Sequence, residues 1–231
     1  MPSLWSTLCY RLCRHVLIGP GLRLLGRPKV HGREHLPRRG AFIVAANHLA
    51  VLDSFYLTWA LRRQVFFLAK SDYFDRPGFR GRFQRIFFRA VGQIRVDRRG
   101  GQRASAALDA ATGIIDAGRV WGIHPEGTRS PDGRLYRGRT GAVRVAMATG
   151  VPLIPVAITG TRPDPATPWW RRRVVVRILA PLDLEPFTRS GAHDARAATD
   201  SLMRQIAARS GQQYVDRYAK SWSGSPDELA A

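Results

Sequence analysis

Short apolar runs alternate with amphipathic stretches along most of this 231-residue chain. Ala41 to Ala45, Val65 to Ala69, Gln93 to Val96, Val120 to Ile123, Leu153 to Ile158 and Val174 to Leu179 predict strands. Ser54 to Leu61 is apolar and predicts a helix. Phe79, Phe83, Ile86, Phe87 and Ala90 share one helical face, opposite Arg82, Arg85 and Arg89. Ala104, Leu108, Ala111 and Ile115 mark a further helix ending at Gly118, a residue suited to a C-terminal cap. Another helix is expected from about Thr140 to Gly150, and the tail from Ala195 to Lys220 reads as mostly helical. Strands alternating with helices predict an α/β fold: a mixed, largely parallel sheet flanked by helices, preceded by an N-terminal amphipathic helical segment.

That N-terminal segment divides in two. From Leu4 to Leu17, Leu4, Trp5, Leu8, Leu12 and Val16 fall on one side of a helical wheel, and Ser3, Thr7, Arg11 and Arg14 on the other. Gly19, Pro20 and Gly21 are read as a break, followed by a short apolar-basic piece from Leu22 to Arg27. Core packing and interfacial anchoring both fit such a pattern. The expected division is a membrane-associating segment over 1–27, a main domain over 28–220 and a frayed tail over 221–231. Thr161 to Arg173, rich in Pro, Trp and Arg, is expected to be a surface loop. The longest uncharged run, Val145 to Thr161, is interrupted by Gly150, Pro152 and Pro155, so no spanning helix is expected. The N-terminus also lacks the charge pattern of a signal peptide.

Charge changes the picture more than composition does. The formal net charge is +20, and nearly all of the positive side chains are Arg, whose forked donors suit phosphate. Such a charge attracts nucleic acid or an anionic membrane surface. No nucleic-acid-binding motif is present, and the Arg residues are spread rather than clustered. No nucleic-acid partner is therefore expected. Cys9 and Cys13, the two cysteines, read as small apolar residues of one helix in a reducing compartment.

Four clusters carry candidate chemistry. Asn47-His48-Leu49-Ala50-Val51-Leu52-Asp53 follows a predicted strand, where open α/β sheets build their sites. Asp53 could hold one ring nitrogen of His48 as N–H, leaving the other free to take a proton. A structural His at a helix start is the plainer meaning of that spacing. His124-Pro125-Glu126-Gly127-Thr128-Arg129-Ser130 follows a second strand, and Thr128, Arg129 and the backbone about Gly127 could grip a phosphate. Alone, this would be an ordinary turn. Gly92 to Arg98 reads as a strand with a charged end, and Val151 to Val156 as core or part of an acyl-chain wall.

Together, in this order, the four clusters resemble the glycerolipid (lysophospholipid) acyltransferase family, whose type member acylates 1-acylglycerol-3-phosphate. The likeness runs from about Val30 to Leu184 and rests mainly on NHLAVLD and on the complete PEGTRS from Pro125 to Ser130. It implies His48 as general base and Asp53 as its orienting partner. It implies a phosphate-binding set of Arg129, Arg98, Thr128, Gly127, Glu126 and Lys70, with Glu126 and Gly127 also shaping the turn. It further implies transfer of an acyl chain from a thioester, carried by coenzyme A or acyl carrier protein, to a lysophospholipid hydroxyl. No metal or cofactor is expected. The enzyme would lie peripherally on the cytoplasmic face of the cell membrane. Ala50 replaces a frequent Ser of the family and His124 an aromatic residue, so another lipid acceptor, such as a glycolipid or aminolipid, is the alternative. His124 reads as a strand-end ring replacement in preference to a second base.

Overall fold

In a computed structural model of the chain, the central apolar run forms a strand, β2 (Phe42–Ala46), in which every residue is buried. The structure describes residues 16, 18–70, 78, 93–96, 103–162, 164, 166–168, 171–188 and 194–219. The other strands are β1 (Lys29–His31), β3 (Val65–Lys70), β4 (Gln93–Val96), β5 (Val120–Ile123), β6 (Leu135–Tyr136), β7 (Leu153–Thr159), β8 (Val175–Ile178) and β9 (Tyr214–Val215). The helices are α1 (Gly19–Gly26), α2 (Leu52–Leu61), α3 (Arg103–Asp116), α4 (Gly141–Thr149) and α5 (Ala195–Ser210).

The main sheet has the order β1-β8-β7-β2-β5-β3-β4. β7, β2, β5, β3 and β4 pair in parallel, whereas β8 runs antiparallel to β7 and carries β1 parallel to itself. The expected mixed, largely parallel sheet is thus present. Alternation along β2 separates two cores. Ile43 and Ala45 face a layer formed by α3, α4 and α5, with Ile114, Val143 and Leu202 among its buried residues. Phe42, Val44 and Ala46 face α2 and α1, represented by Tyr56, Leu57, Ala60 and Leu22. Burial on both faces explains why the strands read as continuous apolar runs rather than alternating ones.

One expectation needs correction, and two are made more definite. Gly19-Pro20-Gly21 does not break the chain into pieces but opens α1, with Pro20 in the first turn. A proline is tolerated there because first-turn N–H groups have no intrahelical acceptor. The C-terminal region is mostly helical, as expected, but α5 stops before Gly211, which adopts φ 70 and donates its N–H to the Ala207 carbonyl. The chain then pairs Tyr214 and Val215 with Leu135 and Tyr136 of β6. The Val151 to Val156 cluster is core: Leu153, Ile154 and Val156 of β7 have no exposed surface. Apart from Val16, the predicted helices over Leu4 to Leu17 and Phe79 to Ala90 lie outside the described residues.

α1 is fixed to the body on one side and open on the other. Leu22 and Gly26 are buried, the Tyr56 hydroxyl donates to the Leu22 carbonyl at 3.1 Å, and Val174 N–H donates to Gly26 O at 2.7 Å. Leu24 and Leu25 remain 68% and 43% exposed.

Candidate active site

β2 and β5 are neighbours running in the same direction, so the segments leaving their C-terminal ends arrive side by side. The first segment holds Asn47 and His48, and the second begins at His124. Asp53 stands in the first turn of α2 and is fully buried.

Asp53 Oδ2 lies 3.0 Å from His48 Nδ1 and also accepts the backbone N–H groups of Leu49 at 2.5 Å and Ala50 at 2.7 Å. The carboxylate only accepts, so His48 Nδ1 is the protonated nitrogen and Nε2 carries the lone pair. His48 keeps 18% of its side chain exposed. The two N–H bonds from Leu49 and Ala50 fix the carboxylate independently of the ring.

The PEGTRS turn supports that pair from beneath. Glu126 is 1% exposed. Its Oε1 accepts the His48 backbone N–H at 3.0 Å, and its Oε2 accepts the Tyr136 N–H at 3.0 Å. Burial pushes the Glu126 carboxyl up to about 7, against the pull of those two N–H groups. Both Glu126 oxygens are thus held by backbone donors, and the residue shapes the turn. Ser130 closes the other side: its N–H donates to His48 O at 2.8 Å, while its hydroxyl donates to Arg134 O at 2.6 Å. Gly127 has φ +76, and a Cβ there would lie 2.9 Å from Arg139 Nε. A side chain there would strain the backbone and force the Arg139 guanidinium to shift.

Thr128 and Arg129 stand on this same turn, partly exposed. Lys70 ends β3, next to β5 in the sheet, so its backbone lies along the same edge. Arg98 lies outside the described residues. The structure thus brings together His48, Asp53, Glu126, Gly127, Thr128 and Arg129.

Five contacts were not legible in the residue pattern. Asn47 takes the place of a β-ladder partner at the end of β7: its Oδ1 accepts Ile158 N–H at 2.7 Å and its Nδ2 donates to Ile158 O at 2.8 Å. Nδ2 also donates to Gln212 Oε1 at 2.6 Å, and Gln212 Nε2 donates to Gly133 O at 2.7 Å. A segment from beyond α5 thereby ties the two site loops together. His124 contacts Ser54, with Nε2 and Oγ 3.0 Å apart, and its ring stacks on His48 with centroids 3.9 Å apart and planes 9° from parallel.

Comparison with known proteins shows the family and the fold. The chain is 31% identical over 132 residues to the 1-acyl-sn-glycerol-3-phosphate acyltransferase of Borreliella burgdorferi, covering 57% of this chain and 51% of that protein. It is 28% identical over 179 residues to the enzyme of the same name from Limnanthes douglasii, covering 75% and 61%. The chain thus spans half to three fifths of the length of these relatives. The crystal structure of the 1-acyl-sn-glycerophosphate acyltransferase from Thermotoga maritima superposes with a TM-score of 0.62 at 24% identity, over 93% of this chain and 81% of that one, so the fold is shared. The sequence profile described as Acyltransferase matches residues 27–159, which span β2, α2, β5 and β7 and every site residue named above except Gln212; the chain belongs to the Acyltransferase family.

Proposed function

We propose that this protein transfers a fatty acyl chain from a thioester donor to the free hydroxyl of 1-acylglycerol-3-phosphate, giving phosphatidic acid. The observation that carries this reading is the 3.0 Å contact between His48 Nδ1 and the buried Asp53 carboxylate, beside the turn that bears Arg129. In the reaction, Nε2 takes the acceptor's hydroxyl proton as its oxygen attacks the thioester carbonyl. The tetrahedral intermediate collapses with cleavage of the C–S bond, and the leaving thiolate recovers the proton from His48. The step involves no change of oxidation state. Buried Asp53 supports the imidazolium formed midway, and a positioned general base supplies about 10²- to 10⁴-fold.

Arg129 would hold the acceptor phosphate, with Thr128, Lys70 and Arg98 as further contacts. A bidentate guanidinium is the side chain suited to that group. The donor is an acyl thioester of coenzyme A or of acyl carrier protein, and the working surface is an anionic membrane. Two features support the membrane partner: the net charge of +20, and exposed Leu24 and Leu25 beside Arg23 and Arg27. No helix among the described residues is long and apolar enough to cross a bilayer. We place the protein peripherally, on the cytoplasmic leaflet.

A labelled acyl-transfer assay with lysophosphatidic acid and an uncharged acyl acceptor tests this reading. Wild type should prefer the phosphate acceptor. Arg129→Ala should lose about tenfold or more in kcat/KM on that acceptor alone, since a hydrogen bond to a charged group contributes roughly 1.5–3 kcal/mol. Preference for the uncharged acceptor would overturn the substrate, and equal slowing of both would make Arg129 a structural residue.

A further inference from the structure

Ser54 and His124 meet with the geometry of a nucleophile and its base: Oγ and Nε2 are 3.0 Å apart, and Nδ1 faces the Ala46 and Asn47 carbonyls at 3.0 and 3.1 Å. The hydrogen bonds fix the tautomer. Carbonyl oxygens only accept, so Nδ1 carries the proton, and Nε2 accepts from the Ser54 hydroxyl. What separates this from a working dyad is basicity. Desolvation, with His48 adding to it, lowers the His124 pKa to about 3, so His124 stays neutral and is too weak a base to take a serine proton.

His124 instead belongs to a group of stacked rings. Its ring stacks on that of His48, and it also lies near parallel to the ring of Phe67 of β3, at 5.8 Å and 14°. Gly122 leaves room for this: a Cβ there would lie 2.6 Å from the Phe67 ring and 2.5 Å from Val65. The groups facing His124 are His48 and Asp53 from the β2–α2 segment, while β3 presents Phe67, which does not titrate.

We propose that His124, locked by Ser54 and by the carbonyls of Ala46 and Asn47, is a positioning residue that braces the face of the His48 ring and takes no proton in the reaction. Its Nδ1–H holds the main chain from which His48 is hung, and its ring prevents His48 from rotating off the Asp53 contact. The inference rests on His48 being the base.

Steady-state kinetics on lysophosphatidic acid over a range of pH test it, with wild type, His48→Ala, His124→Phe, His124→Gln and Ser54→Ala. A ring stack and a hydrogen bond are each worth a factor of about two to ten. His124→Phe keeps the ring, so its kcat should fall by no more than about fivefold, with KM and the number of ionisations in the pH profile unchanged. His124→Gln removes the ring and should lower kcat by about tenfold or more, again at unchanged KM, with circular dichroism reporting a folded chain. Ser54→Ala should lose about fivefold or less, and labelled acyl donor should leave no acyl group on Ser54. Loss of one ionisation in His124→Phe, wild-type kcat in His124→Gln, or a labelled Ser54 would each overturn the brace. An active His48→Ala would instead overturn the base assignment on which it rests.

Discussion

The backbone N–H of His48 and the side chain of Glu126 are bonded at 3.0 Å across 78 residues of sequence. The other Glu126 oxygen holds Tyr136 N–H. A carboxylate is suited to this bridge because both of its oxygens accept, and both partners are donors.

Glu126→Gln should therefore break the bridge at one end. Its amide NH₂ would face a backbone N–H, leaving a buried donor without an acceptor at a cost of about 1–3 kcal/mol. Denaturant unfolding should show that loss. Turnover should fall with it, because the released main chain carries His48. A variant as stable as wild type would show that Glu126 is not held between the two N–H groups.

The pH dependence of stability should carry two opposed contributions. His124 is lowered from 6.5 to about 3, so between those values the unfolded chain holds a proton that the native one lacks, and stability falls as pH falls. Glu126 is raised from 4.5 to about 7, so between those values the native chain holds the extra proton, and stability falls as pH rises. Each slope is at most about 1.4 kcal/mol per pH unit. They cancel where the windows overlap, giving a plateau from about pH 4.5 to 6.5. His124→Phe should tilt that plateau downward with rising pH, and Glu126→Gln should tilt it upward. Unfolding curves at about pH 4.5, 5.5 and 6.5 decide this, and unchanged tilts would refute it.

His48→Ala should abolish transfer with the circular dichroism spectrum retained, since the ring acts on a proton. Asp53→Asn separates geometry from charge. Leu49 and Ala50 N–H would hold the amide oxygen in the Oδ2 position, leaving His48 Nδ1 its acceptor. The negative charge opposite the imidazolium would still be gone. A loss of about 10²-fold is expected from the charge alone, within the range of general-base effects. Activity near wild type in a folded Asp53→Asn would mean that Asp53 only positions the ring.

At the membrane, Leu24→Glu with Leu25→Glu should weaken sedimentation with anionic vesicles while leaving thermal stability unchanged, because both side chains are exposed. Deleting 1–27 would be a poorer test, since Leu22 and Gly26 belong to the core. Raising salt should weaken binding further, as charges are screened over about 8 Å at physiological ionic strength. Vesicle binding by the double variant equal to wild type would move the contact elsewhere.

The elements buried on both faces were readable in the sequence because an apolar run such as FIVAA or LIPVAI admits few other fates. The His48–Asp53 pair was readable because both partners lie within one turn and a known motif spans them. β1, β6 and β9 were missed: each has two or three residues, and each is a strand only because a distant segment pairs with it. The Asn47–Gln212 and Ser54–His124 contacts have the same cause. Nothing in GQQY or in the serine after Asp53 announces a partner 165 or 70 residues away. Pro20 misled because a helix-breaking residue inside a helix is also a favourable one at its start.

β2 occupies the middle of the main sheet, and both of its neighbours arrive late in the chain. Its ladder with β5 waits for residues near 120, and its ladder with β7, together with the Asn47–Ile158 bonds, waits until β7 has formed. The His48–Asp53 pair thus exists in outline after some fifty residues but acquires its rigid setting only through contacts of long sequence separation. Such contacts slow folding, because chain closure must precede the pairing that rewards it. A nascent chain ending before β7 would already hold His48, Asp53, Glu126 and Arg129. It would also show the apolar edge of β2 to any other strand, a state prone to association. Chemistry and solubility therefore depend on the same strand.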